Sequence, residues 1–552
     1  MWKRYLLLTA AILLGATALA GSLLKRERVL APRRLASPPN TSMLKTVSQI
    51  NREIQANWQQ KGLRAAPQAD EWTIIRRISL GLMGTIPSLE EFRSLEKVPA
   101  GERINWWLGH VLEDRRSADY IAERLARAYV GTDNGTFVLF RRRRLVLELS
   151  ERIARNEPYD QIVRSLMADE GIWTDTPTVN FVTARLDMNN NNQPDPIRLA
   201  AATSRAFLGM RIDCLQCHDE HRNNKNYFGN AEHPVEGKQS HFHELAAFFS
   251  ESELSGVFGV RDNPNKKYFY KYIYDDKESH IKPQVPFYTE LYKPTDEPRR
   301  QQLAKWVTHP QNGAFSRAIV NRIWAIVFGK PLVSPIDDVP LYGPWPAGME
   351  LLAQDFSSHG FDLRRLIRII VATEVFQRDS RVDFEITSEH ELNWAAFPLT
   401  RLRPEQVAGA LTQAASLTTI NDQAGIITKL QQFGDLNNFV ERFGDVGIDE
   451  FNERGGTITQ RLLMMNGEIP RQRTQAESDI AFAAPARIAA LVSEPSKVVE
   501  SAYLCVLTRK PTVTESKELA KRFEAKADNA KREAIEDLFW ILVNSSEFSW
   551  NH

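Results

Sequence analysis

Apolar side chains recur three and four positions apart in run after run of this chain, and capping or turn residues separate the runs. At about 3.6 residues per turn such positions fall on one face, so the spacing commits the backbone to α-helices. Trp72, Ile75, Ile78 and Leu82 share a face, with Arg76 and Arg77 on the other side, and Gly84-Thr85-Ile86-Pro87-Ser88 ends the run. Ser88 and Glu91 have the capping-box spacing that opens the next helix. A further helix over about 101–112 carries Trp106 and Trp107, and Asn156-Glu157-Pro158 separates two more. In the second half, 303–307 and 317–328 read as helices, the latter with Ile319, Ile323, Trp324 and Val327 on one face. Asp362 caps a helix whose stripe is Leu363, Leu366, Ile367, Ile370 and Val371, with Arg364, Arg365 and Arg368 opposite. Thr512 and Glu515 form another capping box, and a last helix buries Ile535, Leu538, Phe539 and Leu542.

The period changes once. Tyr268, Tyr270, Tyr272 and Tyr274 alternate with Lys267, Phe269, Lys271 and Ile273, which predicts a strand. Its aromatic face suits either packing on helices in a small hairpin or a sugar or other flat ligand. Pro283, Pro286, Pro294 and Pro298 then mark a boundary. The expected fold is therefore mainly α, with helical domains over 43–250 and 297–552 and a β-containing connector over 251–296. At 552 residues the chain is long enough for such a division.

The N-terminus has a different layout. Lys3 and Arg4 precede an apolar run over 5–24, and Ala18-Leu19-Ala20 resembles a small-residue cleavage site. Residues 1–24 read as a signal peptide or an N-terminal anchor, and 25–42 as a linker. Export to the periplasm or cell envelope is the expectation, with membrane anchoring through 5–24 left open. A net charge of +1 gives no global attraction to nucleic acid.

Two of only three cysteines stand in Cys214-Leu215-Gln216-Cys217-His218. Three cysteines in so long a chain exclude a disulfide scaffold. Cys-x-x-Cys-His is the attachment pattern for c-type haem: both thiols reach the porphyrin edge and the histidine meets the iron. In that reading Cys214 and Cys217 form thioethers, His218 is the proximal ligand, and Met210, His233, His241 and His243 are candidates for the other side. A zinc site completed by His221, His233, His241 or His243 is a second reading. A disulfide or dithiol without metal is a third.

Other motifs weigh less. Arg141-Arg142-Arg143-Arg144 reads as the solvated face of a helix starting near Phe140. The alternating oxygens of 187–195 lack the glycine and glutamate of an EF-hand, so a polar turn is expected. Asp195 and Pro196 open a helix that Gly209 ends, which places the Cys–His motif in a loop. Asp337-Asp338 reads as a turn or cap. No phosphate loop, nucleophile elbow or His-Glu-x-x-His is present, so nothing decides whether the chain is an enzyme.

Several segments together resemble one large bacterial family, abundant in planctomycetes. It joins a cytochrome-c-like domain of unknown function to a second domain of unknown function. The first resembles this chain at 76–87, at Asn156-Glu157-Pro158-Tyr159-Asp160-Gln161, at 214–219 and at Leu245-Ala246-Ala247-Phe248-Phe249. The second does so at Val320-Asn321-Arg322-Ile323-Trp324, Ser334-Pro335-Ile336-Asp337-Asp338, 355–362, 463–467, 507–512 and from Asn544 onward. The resemblance implies an exported haem-binding protein whose activity is not established. With the attachment motif, the expectation is electron transfer or another redox role in the cell envelope, with an envelope component or redox partner. The alternative is a non-redox envelope scaffold or ligand-binding protein holding zinc or no metal. The family usually reads Cys-His-Asp-His-Pro, whereas here Glu220 separates Asp219 from His221 and Arg222 replaces the proline. Family histidines are also replaced at Ile326 and around Pro346-Ala347-Gly348, which implies loss of part of any site they build.

Overall fold

Helix α1 (Thr41–Gln60) begins the described part of the chain. The computed structural model describes residues 41–133, 142–187, 190–220, 228–229, 235–256, 259–273, 275–420, 439–444, 451, 456–476, 483–524 and 528–552. The segment 1–24, and nearly all of the linker, lie outside them. Among the described residues no helix is long and apolar enough to cross a membrane.

Helix α2 (Glu71–Met83) starts where the Asp70 carboxylate accepts from the Trp72 N–H and stops at Gly84, whose φ of 65° suits a residue without Cβ. Every residue from Ile74 to Met83 is buried. There follow α3 (Leu89–Leu95), α4 (Arg103–Glu113), α5 (Arg115–Val130), α6 (Arg142–Ala154) and α7 (Tyr159–Ala168). Then come α8 (Pro196–Thr203), α9 (Gln239–Ala246), α10 (Arg299–Val307), α11 (Gly313–Phe328), α12 (Met349–Ser358) and α13 (Leu363–Ala372). Helices α14 (Pro404–Ala414), α15 (Pro495–Leu507) and α16 (Asp528–Val543) build the C-terminal part. The capping boxes at Ser88/Glu91 and Thr512/Glu515 both form, and Asp362 accepts from the Arg365 N–H.

Helix α11 is buried from Ala314 to Phe328 and packs against α2. Their backbones approach closely at Gly81, where a Cβ would lie 2.9 Å from the Val327 carbonyl oxygen. One hydrophobic cluster runs from Met43 to Phe451 and includes both helices. A second, from Leu80 to Phe548, is built chiefly by α14, α15 and α16, with Leu80 of α2 inside it. Helix α2 therefore serves both cores.

The face of α2 opposite Trp72 is not a solvent face. Arg76 donates to the carbonyls of Val506 and Phe548 and to the Thr508 hydroxyl. Arg77 donates to the carbonyls of His552, Phe376 and Arg378, and its guanidinium lies 3.6 Å from the Phe397 ring centre. Burial pulls the two guanidinium pKa values down to about 10 and about 9, so both stay charged at neutral pH. The basic run is likewise not wholly solvated: Arg142 is buried, donating to both Glu123 carboxylate oxygens and to the Gly131 carbonyl. Arg143 and Arg144 are exposed, and Arg141 lies outside the described residues. Arg365, expected opposite the apolar stripe, is buried in a two-pronged ion pair with Asp355 at 2.8 Å.

The architecture is mainly α, and the described residues form three two-stranded antiparallel sheets. Two of them, β1 (Ser252–Ser255) with β2 (Gly259–Asp262) and β3 (Tyr268–Tyr270) with β4 (Ser279–Ile281), occupy the connector. The expected strand over 267–274 is cut to three residues: Tyr272 has left the ladder and Tyr274 lies outside the described residues. The third sheet pairs Thr400–Arg401 with Trp550–Asn551.

Candidate functional site: the Cys–His loop

The loop hangs from the end of α8. Asp195 caps that helix by accepting from the N–H groups of Ile197 and Arg198, with Pro196 in the first turn. The segment before the cap is a polar turn: Asn191 accepts from the Gln193 N–H, and Gln193 bonds both backbone groups of Leu254 in β1. After a π-turn over Ser204–Leu208 the chain stops at Gly209, with φ of 63°. Its carbonyl accepts from the Val339 N–H at 2.7 Å, so the loop begins against the segment after Asp337-Asp338.

That segment is fixed by two devices. Asn321 of α11 donates to the carbonyls of Val333 and Ile336 and accepts from the Val333 N–H. Asp337 sits 2.7 Å from Arg211 and 3.6 Å from Arg205, while Arg205 also holds Asp213 at 2.7 Å. Asp337 thus closes a charge bridge between the Ser334–Asp338 loop and the shoulders of the cysteine motif. In sequence alone Asp337 reads as a turn or cap, because its partners lie more than a hundred positions away.

The motif itself is a 3-10 turn over Asp213–Gln216, in which the Cys217 N–H bonds the Cys214 carbonyl. Leu215 is buried beneath it, and Cys214, Cys217 and His218 are exposed. The Gln216 carbonyl points inward and accepts three hydrogen bonds: from His243 Nε2 at 3.0 Å, Gln239 Nε2 at 3.0 Å and the Tyr270 hydroxyl at 3.1 Å. The Asp219 carboxylate accepts from the Gln239 N–H at 2.7 Å, tying the loop to the start of α9.

Two imidazole tautomers follow from these contacts, since a carbonyl oxygen only accepts. His243 must carry its proton on Nε2, facing Gln216, so Nδ1 accepts from the Tyr268 hydroxyl at 2.8 Å. Burial holds this imidazole below its usual pKa, against the pull of the Gln216 bond, and it stays neutral. Its ring stacks on Tyr270 at 3.4 Å. The Tyr270 hydroxyl is held above its usual range by burial and by the nearby Cys217 thiol. His218 presents Nδ1 to the Asp219 carbonyl at 2.6 Å, so Nδ1 carries the proton and the lone pair lies on Nε2.

Met210 is buried in the first core, 3 % exposed. His241 accepts the Lys238 N–H on Nδ1 and meets the Phe228 ring edge-on. Burial and the Lys238 charge keep its pKa low. His221 and His233 lie outside the described residues. The aromatic face of β3 is turned inward, Tyr268 and Tyr270 covering His243 while Phe269 is 52 % exposed. It is a packing face.

Among the described residues, one cluster brings three metal-ligating atoms within 4.8 Å of one another: Glu91, His110 and Asp114. Arg116 bonds Glu91 at 2.5 Å and Asp114 at 2.9 Å. A guanidinium already neutralises the acidic pair, and the cluster reads as an ion-pair network between α3, α4 and α5.

These features define a mainly helical protein in which an exposed Cys-x-x-Cys-His loop is clamped between its N-terminal helices, α11 and a β-hairpin. Residues 49–253 match the family model PSCyt2, a protein of unknown function (DUF1549), and residues 299–433 match PSD1, a protein of unknown function (DUF1553). The chain belongs to the two-domain family in which these follow one another in that order. No curated protein and no solved structure matches it.

Proposed function

We propose that this chain is an exported c-type haem protein that carries electrons in the cell envelope. Cys214 and Cys217 would hold the cofactor by thioether bonds and His218 would be its axial ligand. A haem held there would supply a one-electron iron couple. The observation that carries this reading is the His218 tautomer: the Asp219 carbonyl takes the Nδ1 proton and leaves the metal-binding lone pair on Nε2. The exposed thiols on a turn locked through Gln216 agree with it, because attachment needs both sulfurs accessible from one side.

The zinc alternative needs four ligands converging at about 2.0–2.3 Å from one ion. His243 would serve it only by surrendering both of its protein hydrogen bonds. The test is a pyridine haemochrome spectrum of protein produced with a cytochrome c maturation system, alongside metal analysis. Covalent haem that is lost in Cys214→Ala supports the proposal. A colourless protein with stoichiometric zinc would overturn it.

A further inference from the structure

Arg322 stands next to Asn321 on α11 and plays no part in the Cys–His loop. It is 7 % exposed. Among the described residues it makes no hydrogen bond and no ion pair. Other buried arginines behave differently. Arg76, Arg77, Arg300, Arg317 and Arg365 each donate to a carbonyl or a carboxylate. Arg76 Nε and Arg317 Nε are sealed in packed protein. None of the Arg322 nitrogens is sealed, so the little surface that Arg322 keeps includes its donors.

The charge of Arg322 acts on Tyr129 of α5 and on Tyr159 at the start of α7. Their hydroxyls lie 2.7 Å apart. One phenol proton is spent on that bond and the other is left to donate. Burial holds both phenols protonated, Tyr129 well above its usual range and Tyr159 up to about 12, so neither is a counter-ion for Arg322. Carboxylates on either side are committed elsewhere. One turn on, where Arg403 donates to the Ile326 carbonyl, Glu405 is shared by Arg124, Arg127 and Arg403. On the Asn321 side, Asp337 holds Arg205 and Arg211.

A guanidinium and a spare phenol proton are donors only, and a buried ion without a counter-ion is costly. A planar carboxylate matches the guanidinium fork through two parallel N–H···O bonds. One cation balances one negative charge, which favours a carboxylate over a doubly charged phosphate. We propose that Arg322 and the Tyr129–Tyr159 pair form a binding site for a small monocarboxylate, whose oxygens accept from the guanidinium and from the spare phenol proton. The site does not depend on the haem reading and stands or falls separately from it.

The experiment titrates the full chain with isotope-labelled acetate at constant ionic strength. It follows line broadening of the carboxylate NMR signal and the thermal midpoint in parallel. The expected result is saturable broadening, with a midpoint raised by about 2 °C at a hundredfold excess over Kd. Arg322→Gln should abolish both effects. Arg322→Lys keeps the charge but not the fork and should bind about tenfold more weakly; it serves as the check should Arg322→Gln not fold. Inorganic phosphate, mostly doubly charged at about pH 8, should bind more weakly than acetate. Absence of saturable acetate binding by the wild type would overturn the proposal. So would unchanged binding in Arg322→Gln or Arg322→Lys, or tighter binding of phosphate than of acetate.

Discussion

At the scale of single residues the account turns on His243 and the Gln216 carbonyl. His243→Phe keeps a ring against Tyr270 but removes the Nε2–H bond and leaves the Tyr268 hydroxyl without its acceptor. A loss of about 1–3 kcal/mol in urea unfolding is expected, with faster alkylation of Cys217 by iodoacetamide. An unchanged alkylation rate would show that the loop is held elsewhere. The same residue gives a pH dependence. Its folded pKa lies below the ordinary value of 6.5, so on acidification the unfolded chain takes up the proton first. The contribution is complete above about pH 6.5 and is lost as pH falls through the lower folded value. Wild type should therefore lose stability on going from about pH 7.5 to about pH 5 more steeply than His243→Phe. Parallel slopes would contradict the assignment. None of this was visible in sequence: Cys214, Cys217 and His218 announce themselves by spacing, whereas Gln216 acts through a backbone carbonyl and Tyr268 through a hydroxyl, neither of which leaves a pattern.

At the scale of elements, the contact between α2 and α11 depends on what Gly81 lacks. Gly81→Val would drive a branched side chain into the Val327 carbonyl, and a loss of about 1–3 kcal/mol is expected by thermal or urea unfolding. A neutral result would mean the helices can separate freely. Asp337→Asn removes the charge bridge to Arg205 and Arg211. With both arginines more than a third exposed, screening limits the loss to about 1 kcal/mol, and the sharper readout is increased hydrogen exchange at Val339 and Leu215. Caps were the most legible elements. Ser88 with Glu91, Asp195 with Pro196, Asp362, and Thr512 with Glu515 act on groups two or three residues away. The arginines were not. Arg76 and Arg77 look like a polar helix face until the carbonyls of 506, 548 and 552 close around them, contacts made across more than 400 positions. The tyrosine alternation named a true strand but overstated its length, since register with β4 ends at Tyr270.

At the scale of the whole molecule, the family segments 49–253 and 299–433 share one core through α2 and α11, and the C-terminal helices reach back to Arg76 and Arg77. A fragment ending at residue 296 would expose α2 on two sides. It is expected to lack a cooperative thermal transition by circular dichroism, whereas residues 41–552 should retain one. A cooperative fragment would contradict the shared core. Helical content was legible along the chain because periodicity is local; the sharing of α2 between two cores was not, because that depends on which apolar faces meet. The central claim concerns the exposed loop this framework holds in place. Its most direct measurement is the pyridine haemochrome of protein matured for c-type haem, compared with the double variant Cys214→Ala with Cys217→Ala and with His218→Ala. The account predicts one covalent haem per chain in the wild type, none in the cysteine pair changed together, and an altered axial spectrum in His218→Ala. A wild-type protein that emerges from the same maturation system without covalent haem would contradict it.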